Sequence, residues 1–123
     1  MEPLPELFVY GASEHAKIVI ETIKRQGQYD IVGLLDDDPR KTGRELLGSL
    51  ILGGQERLGG LQAAGVGRCF VAIGNNDARR QKCEDLLSKG FELVSVIDPT
   101  AIVLSRVSIG PGTLILAQSY VGV

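Results

Sequence analysis

The chain has 123 residues, of which 44% are hydrophobic and 23% are charged, so it suits a globular protein of one domain, or one small domain and part of another. Its net charge of -2 gives no electrostatic reason to expect a nucleic-acid partner, and no apolar run approaches the roughly 20 residues that cross a bilayer. We therefore expect neither nucleic acid nor a membrane as a partner. A single histidine and the lack of a metal-spaced Cys/His cluster predict no metal site.

Residues 1–6 are acidic and proline-bearing, unlike a signal peptide. Cys69 falls in a predicted strand and Cys83 on a predicted helix face, which favours buried free thiols over a disulfide. Both observations suit a reducing, cytoplasmic location.

The first strand–loop–helix spans residues 7–27, where an apolar run of strand-forming residues meets Gly11 and then a helical pattern. Gly27 ends that pattern as a helix terminator does. The predicted apolar face of the helix consists of Ala16, Val19, Ile20 and Ile23. The N-terminus of such a helix, with Ser13 in the loop before it, is a natural seat for an anion such as a phosphate.

This loop departs from the dinucleotide fingerprint G-x-G-x-x-G, because Gly11 is its only glycine. NAD or FAD binding is therefore disfavoured. The alternative to an anion site is a structural turn with no ligand.

A second buried strand over residues 31–35 ends in three carboxylates, Asp36–Asp38. Asp36 follows Gly11 by 25 positions (36 − 11), near the roughly 20-residue spacing at which an acidic residue meets ribose hydroxyls in nucleotide-binding folds. Asp36 or Asp37 is thus a candidate ribose ligand. The alternative is that Asp38 and Pro39 simply form a turn.

Further strands and helices follow in the middle of the chain. We predict a short strand at residues 49–52, a weak helix at 55–64, a clear strand at 68–73, a helix capped by Asn76 or Asp77, and a last strand at 93–97. The predicted apolar face of the capped helix consists of Cys83, Leu86 and Leu87.

This alternation of strands and helices with short loops predicts a right-handed parallel α/β sheet. Ligands of such sheets lie beyond the carboxyl ends of the strands. Three polar turns fall at that edge, at residues 11–15, Asp36–Asp37 and Gly74–Asn75. Together they predict a binding pocket, to which Lys17 and Arg79, one turn into their helices, add positive charge.

From Asp98 onward the pattern changes, because an aliphatic residue recurs every six positions at Val103, Ile109, Ile115 and Val121. This period fits neither a helix nor a plain strand and is typical of hexapeptide β-helices, whose coils point one aliphatic side chain per hexad inward. Ala117 and Ser119 are small, as the corners of a coil require. Three hexads make one coil, too few to bury a continuous core, so we expect a longer protein or cover from other chains.

Taken together, these stretches resemble sugar acyltransferases of the sialic-acid O-acetyltransferase and bacillosamine N-acetyltransferase type. Residues 11–17 look like that family's G-x-x-G-H-[GA]-K loop, residues 34–37 like its F-L-D-D strand end, and residues 71–75 with Arg79 like its third-strand turn. Pro99–Ala101 followed by hexads is similar to its entry into the β-helix. The resemblance implies an α/β fold, a small Rossmann-like parallel sheet (residues 1–98) followed by the first coil of a left-handed β-helix (residues 99–123).

The resemblance also implies a function, in which acetyl-CoA donates an acetyl group to a UDP-amino sugar held at the sheet edge. The substrate-binding residues it implies are Gly11, Ser13, His15, Lys17, Asp36, Asp37, Gly74 and Asn75. The family's catalytic histidine and acetyl-CoA site lie further along the β-helix, beyond Val123. We therefore expect no catalytic residue and no acetyltransferase activity in these 123 residues.

Family members assemble as homotrimers through the β-helix, and with one coil we expect this chain to be a monomer or a weak oligomer. The chain departs from the family at Glu14, where glycine is usual, and at Asp98, where histidine commonly precedes proline. Two other functions stay open. One is a non-catalytic nucleotide-sugar-binding or regulatory domain; the other is an NAD(P)-dependent oxidoreductase, which the single-glycine loop and the lack of a substrate domain disfavour.

Overall fold

A computed structural model describes residues 2–104, 108–116 and 118–121. Its strands and helices are, in chain order, β1 (Glu6–Tyr10), α1 (Glu14–Gln26), β2 (Asp30–Leu35), β3 (Glu45–Leu46), β4 (Ser49–Gly53), α2 (Leu58–Ala63), β5 (Arg68–Val71), α3 (Asn76–Ser88), β6 (Glu92–Leu93), β7 (Val96–Ile97), β8 (Ile102–Val103), β9 (Leu114–Ile115) and β10 (Tyr120–Val121). Two 3₁₀ turns, at Pro39–Lys41 and Gln55–Arg57, lie after β2 and before α2.

Six strands form one sheet in the order β3-β4-β2-β1-β5-β6. Neighbouring strands are parallel except β3, which pairs antiparallel with β4. β1 lies between β2 and β5, so the order of strands along the chain reverses at β1. Ligands of parallel sheets lie at such a reversal, beyond the carboxyl ends of the strands. The predicted Rossmann-like α/β sheet is confirmed.

Both faces of the sheet are covered, and alternate residues of β1 enter opposite layers. Leu7 and Val9 pack in one cluster with the buried face of α1. Phe8 and Tyr10 pack in the other cluster with Leu86 of α3, and the rings of Phe8 and Phe91 form a T-shaped pair with 5.4 Å between their centroids. The apolar face predicted for α1 is confirmed, and the helix ends at Gly27 with φ of 69°. The face consists of Ala16, Val19, Ile20 and Ile23, all 0% exposed.

The predicted strand at residues 93–97 is wrong beyond its start. The chain leaves the sheet after Val94, whose amide donates to the carbonyl of Cys69 at 3.0 Å. Val96–Ile97 instead pairs with β9. Strand β3 was not predicted. The two-residue turn that joins it to β4 contains Leu47 in the left-handed conformation, with φ of 48°, and leucine is not a residue that signals such a turn.

Two details predicted for α3 are also wrong. The helix is capped by Asn75, whose Oδ1 accepts from the amide of Ala78 at 2.9 Å, and not by Asn76 or Asp77. Leu87 is 51% exposed, because the face of α3 that meets the sheet carries Leu86 and half-buried Cys83. Cys69 is a buried free thiol, and Cys83 is a half-buried one where a buried one was predicted.

The C-terminal part forms two parallel pairs whose partners are 18 residues apart. Val96 pairs with Leu114, and Ile102 with Tyr120. Thr100 Oγ1 likewise accepts from the amide of Gln118, at 2.8 Å. Of the four aliphatic residues predicted to recur every six positions, Ile115 is buried. The other three, Val103, Ile109 and Val121, are half-buried. Ala117 lies outside the described residues.

Asp98 connects this C-terminal part to α1. Its side chain is 1% exposed and accepts from Arg25 Nε at 2.6 Å and from the amide and hydroxyl of Thr100 at 2.9 and 2.7 Å. The hydrogen bond from Arg25, together with those from Thr100, holds the pKa of Asp98 well below its usual value of 3.8.

We expect Asp98→Asn to lower the free energy of unfolding at neutral pH, because Arg25 loses its charge partner. Since the pKa of Asp98 is depressed in the folded state, this stabilisation is complete above the unfolded value of 3.8 and disappears as the pH falls through the folded value. Urea unfolding of both proteins should give a difference that is constant above about pH 5 and shrinks in stronger acid. The control is Asp30→Asn, at an exposed position of β2. A difference undiminished in strong acid would contradict this role.

Candidate functional site

The carboxyl ends of β1, β2 and β5 surround a hollow of about 210 Å³. Its walls are formed by Tyr10, Gly11, Ser13, Asp36, Asp37, Ala72, Ile73 and Gly74. The structure thus brings together five of the predicted site residues from three separate turns, namely Gly11, Ser13, Asp36, Asp37 and Gly74.

The other predicted site residues are not among the walls of the hollow. His15 is half-buried in the first turn of α1. Lys17 forms an ion pair with Glu14, with 3.0 Å between Nζ and Oε1. Asn75 uses its side chain to cap α3. Arg79, predicted to add positive charge, donates to the carbonyl of Ile73 and to Asn76 Oδ1.

The floor of the hollow depends on Gly11. Its φ is +114°, and a Cβ built on it would lie 2.5 Å from the carbonyl oxygen of Ala72. The Gly11 amide donates to the carbonyl of Leu35, and the Ala72 amide donates to the carbonyl of Tyr10. Only glycine fits this close approach of three strand ends.

Asp36 joins the turns after β1 and β2. Its Oδ2 accepts from the amide of Ala12 and its Oδ1 from the amide of Asp38, both at 2.9 Å. Lys41 adds a contact of 3.4 Å to Oδ2 and donates to Ser13 Oγ at 2.9 Å. Asp36 therefore holds the shape of the loops around the hollow.

Asp37 faces solvent more openly, with 59% of its side chain exposed. Its Oδ1 accepts from the hydroxyl of Tyr10, and its Oδ2 lies 3.5 Å from Lys82 Nζ. That ammonium also lies 4.3 Å from the centroid of the Tyr10 ring. Burial and the hydrogen bond to Asp37 raise the pKa of Tyr10 well above its usual value of 10.0, so its hydroxyl is a donor at any physiological pH.

Sequence reasoning missed three of these residues: Tyr10, Lys41 and Lys82. Two of them had a signal. Tyr10 is the last residue of β1, so a polar hydroxyl falls at the carboxyl end of the strand where ligands bind. Lys82 lies one helical turn before Leu86, so both residues share the face of α3 that meets the sheet. Lys41 gave no such signal, because its contacts depend on the 3₁₀ turn after Asp38.

Thiol and metal chemistry find no support in the described part of the chain. Burial raises the pKa of Cys69 to about 12 and also raises the pKa of Cys83, so neither offers a thiolate at neutral pH. Within residues 2–104, 108–116 and 118–121, no group of three or more His, Cys, Asp or Glu residues is arranged to hold a metal ion. No helix in those ranges is long and apolar enough to cross a membrane.

A family model described as the PglD N-terminal domain matches residues 6–86, which include every wall of the hollow. The chain belongs to the PglD N-terminal domain family. This confirms the resemblance to sugar acetyltransferases of that type. A comparison with curated protein sequences gives no match.

Solved structures agree with the PglD N-terminal family. A mutant of perosamine N-acetyltransferase from Caulobacter crescentus, in complex with CoA and GDP-perosamine, is 32% identical with a TM-score of 0.83, covering 94% of this chain and 56% of that one. The acetyltransferase domain of PglB from Neisseria gonorrhoeae FA1090, in complex with acetyl coenzyme A, is 32% identical with a TM-score of 0.81, covering 95% and 55%. The chain thus spans little more than half the length of these relatives. UDP-D-quinovosamine 4-dehydrogenase from Vibrio fischeri, 14% identical with a TM-score of 0.61 and coverages of 72% and 75%, shares the fold alone.

We expect Gly11→Ala to lower the free energy of unfolding by about 2 kcal/mol or more, because the methyl group meets a backbone carbonyl and alanine resists the required φ. Gly59→Ala is the matched control, since nothing lies within 4 Å of a Cβ there. Because Gly59 lies in α2, where alanine is favoured over glycine, Gly59→Ala should raise the free energy of unfolding by about 0.5 kcal/mol. Urea unfolding measures both changes. If the two substitutions changed the free energy of unfolding equally, the backbone around Gly11 and Ala72 would be able to move apart and accept a methyl group, which contradicts this prediction.

We expect the hydroxyl of Tyr10 to stay protonated where exposed tyrosines ionise, because burial and Asp37 oppose the phenolate. In an alkaline absorbance titration of the folded protein, the difference between wild type and Tyr10→Phe should show no ionisation near pH 10.0, the ordinary value. An ionisation there in the difference curve would place Tyr10 in contact with solvent. Tyr29→Phe is the comparison variant, at a half-buried position before β2.

Proposed function

We propose that this chain is the nucleotide-sugar-binding part of an acetyltransferase that uses acetyl-CoA to acetylate a nucleotide-linked amino sugar. The observation that carries the proposal is the hollow at the ends of β1, β2 and β5, in a chain of the PglD N-terminal family. The support from relatives is that perosamine N-acetyltransferase was crystallised with CoA and GDP-perosamine. The resemblance of the motifs implies a UDP-sugar, whereas the ligand of perosamine N-acetyltransferase is a GDP-sugar. The proposed base is therefore uracil or guanine.

The phosphates are proposed to lie at the N-terminus of α1. No side chain of the described residues caps the amides of its first turn, and such amides bind anions together with the helix dipole. Ser13 lines the hollow at this point, and His15 belongs to the same turn. We assign His15 to ligand binding and not to catalysis.

The nucleoside is proposed to lie against Asp37. Tyr10 and Lys82 fix this carboxylate, and it remains more than half exposed. Asp37 and Ile73 also line a second, adjoining hollow with Gln55 and Lys82. We propose that a ligand anchored at α1 extends along Asp37, whose oxygens can accept hydrogen bonds from ribose hydroxyls or base N–H groups. Asp36 has both oxygens engaged by amides, so we assign it to the shape of the loop.

The C-terminal part is proposed to begin a β-helix over residues 99–123, to which Val96–Ile97, just before this range, already adds one strand. The support is the offset of 18 residues in both parallel pairs, which equals three hexads. Left-handedness, a homotrimer and a catalytic histidine are taken from the family resemblance and belong to the whole protein. None of the described residues is assigned to acetyl-CoA or to the transfer of its acetyl group.

The test is calorimetric titration of the chain with UDP and with GDP. We expect saturable binding of at least one of them, weakened about tenfold by Asp37→Asn, because the neutral amide keeps the shape but loses a charged acceptor. Asp77→Asn, an exposed carboxylate in the first turn of α3, is the matched control and should bind as wild type does. Absence of binding with both nucleotides would overturn the proposal.

A further inference from the structure

The hollow proposed to take an anionic ligand carries negative charge of its own. Its described walls include the carboxylates of Asp36 and Asp37 and no lysine or arginine. A diphosphate brought to the N-terminus of α1 would meet these carboxylates. A cation from just outside the walls is therefore needed to make the site attractive to phosphate.

Three of the nearby cations are engaged elsewhere. Lys17 pairs with Glu14 and lines a different groove along α1. Arg79 donates to two oxygens of the turn after β5. Lys82 is 13% exposed, lies on the Tyr10 ring beside Asp37, and lines the adjoining hollow and not this one.

Lys41 lies just outside the walls of the hollow, against two of them, Ser13 and Asp36. Its Nζ contacts Ser13 Oγ at 2.9 Å, the carbonyl of Ala12 at 3.4 Å and Asp36 Oδ2 at 3.4 Å. All three partners belong to the loops that precede α1 or follow β2. The ammonium thus stands beside the first turn of α1, with 28% of its side chain exposed.

Moving this ammonium toward a ligand leaves little unpaired. Asp36 keeps its two amide donors at 2.9 Å, which do not involve Lys41. Ser13 can turn its hydroxyl to a phosphate oxygen, since a hydroxyl both donates and accepts. The backbone of Lys41 stays fixed, because its amide donates to the carbonyl of Asp38.

We propose that Lys41 is the phosphate-binding cation of this site, exchanging its contacts with Ser13 and Asp36 for the phosphates of a nucleoside diphosphate. This inference rests on the proposed function. In this inference Lys41 binds the phosphates of the ligand, and Asp37 binds its nucleoside.

The test compares a nucleoside, its monophosphate and its diphosphate by calorimetry, using uridine, UMP and UDP and the matching guanosine series. We expect Lys41→Met to weaken diphosphate binding about tenfold, monophosphate binding less, and nucleoside binding not at all, since each phosphate removed takes away charge that Lys41 meets. Lys41→Arg should retain most of the diphosphate affinity. Raising the salt concentration should narrow the gap between wild type and Lys41→Met.

The matched control is Lys24→Met, because Lys24 Nζ also donates to a loop carbonyl, that of Leu47 at 2.7 Å, away from the hollow. It should leave all affinities unchanged. An equal loss for all three ligands in Lys41→Met would show that Lys41 only shapes the loop, and no loss for any would show that it does not meet phosphate; either result overturns the inference while the proposed function stands. If wild type binds no member of either series, the proposed function fails and Lys41 with it.

Discussion

At the end of β1 the backbone of Gly11 lies against the backbone of Ala72, with no room for a Cβ between them. Hydrogen bonds extend this contact to both sides, because Gly11 donates to the carbonyl of Leu35 and Ala72 donates to that of Tyr10. Three strand ends are thereby fixed at one point. The loops that leave them begin within bonding distance of one another, and this is why residues far apart in the sequence form one hollow.

The two carboxylates of that hollow are stabilised in different ways. Asp36 accepts from main-chain amides, which are rigid and cannot leave. Asp37 accepts from the side chains of Tyr10 and Lys82 and keeps more than half of its surface in solvent. The main-chain amides give both oxygens of Asp36 a hydrogen-bond partner at a partly buried position. The exposed carboxylate remains available to donors on a ligand, so the neighbouring carboxylates have separate roles.

How far the sequence predicts this arrangement depends on the range of each interaction. The buried faces of β1 and α1 follow from local periodicity, and the turns after Tyr10 and Leu35 follow from where apolar runs stop. The strand predicted over residues 68–73 ends earlier, at Val71, although its apolar run continues to Ile73. The break after Val94 could not be predicted in the same way, because Val96–Ile97 leaves the sheet to pair with Leu114–Ile115. The contacts of Lys41 and Lys82 likewise join segments that the sequence separates. Hydrophobic pattern specifies which face is buried, but it does not specify which polar side chains meet across a gap.

Glu14 lies at a position of the first loop where glycine is usual in the family that the chain resembles. Its backbone does not adopt the left-handed conformation that favours glycine. The carboxylate is 88% exposed and pairs with Lys17, which lies three residues further along α1. It is absent from the walls of the hollow. A negative charge in the first turn also interacts favourably with the helix dipole. Glu14 therefore adds a local ion pair outside the walls of the hollow. In the role proposed for this hollow, the side-chain charges nearest to a phosphate are those of Asp36 and Lys41.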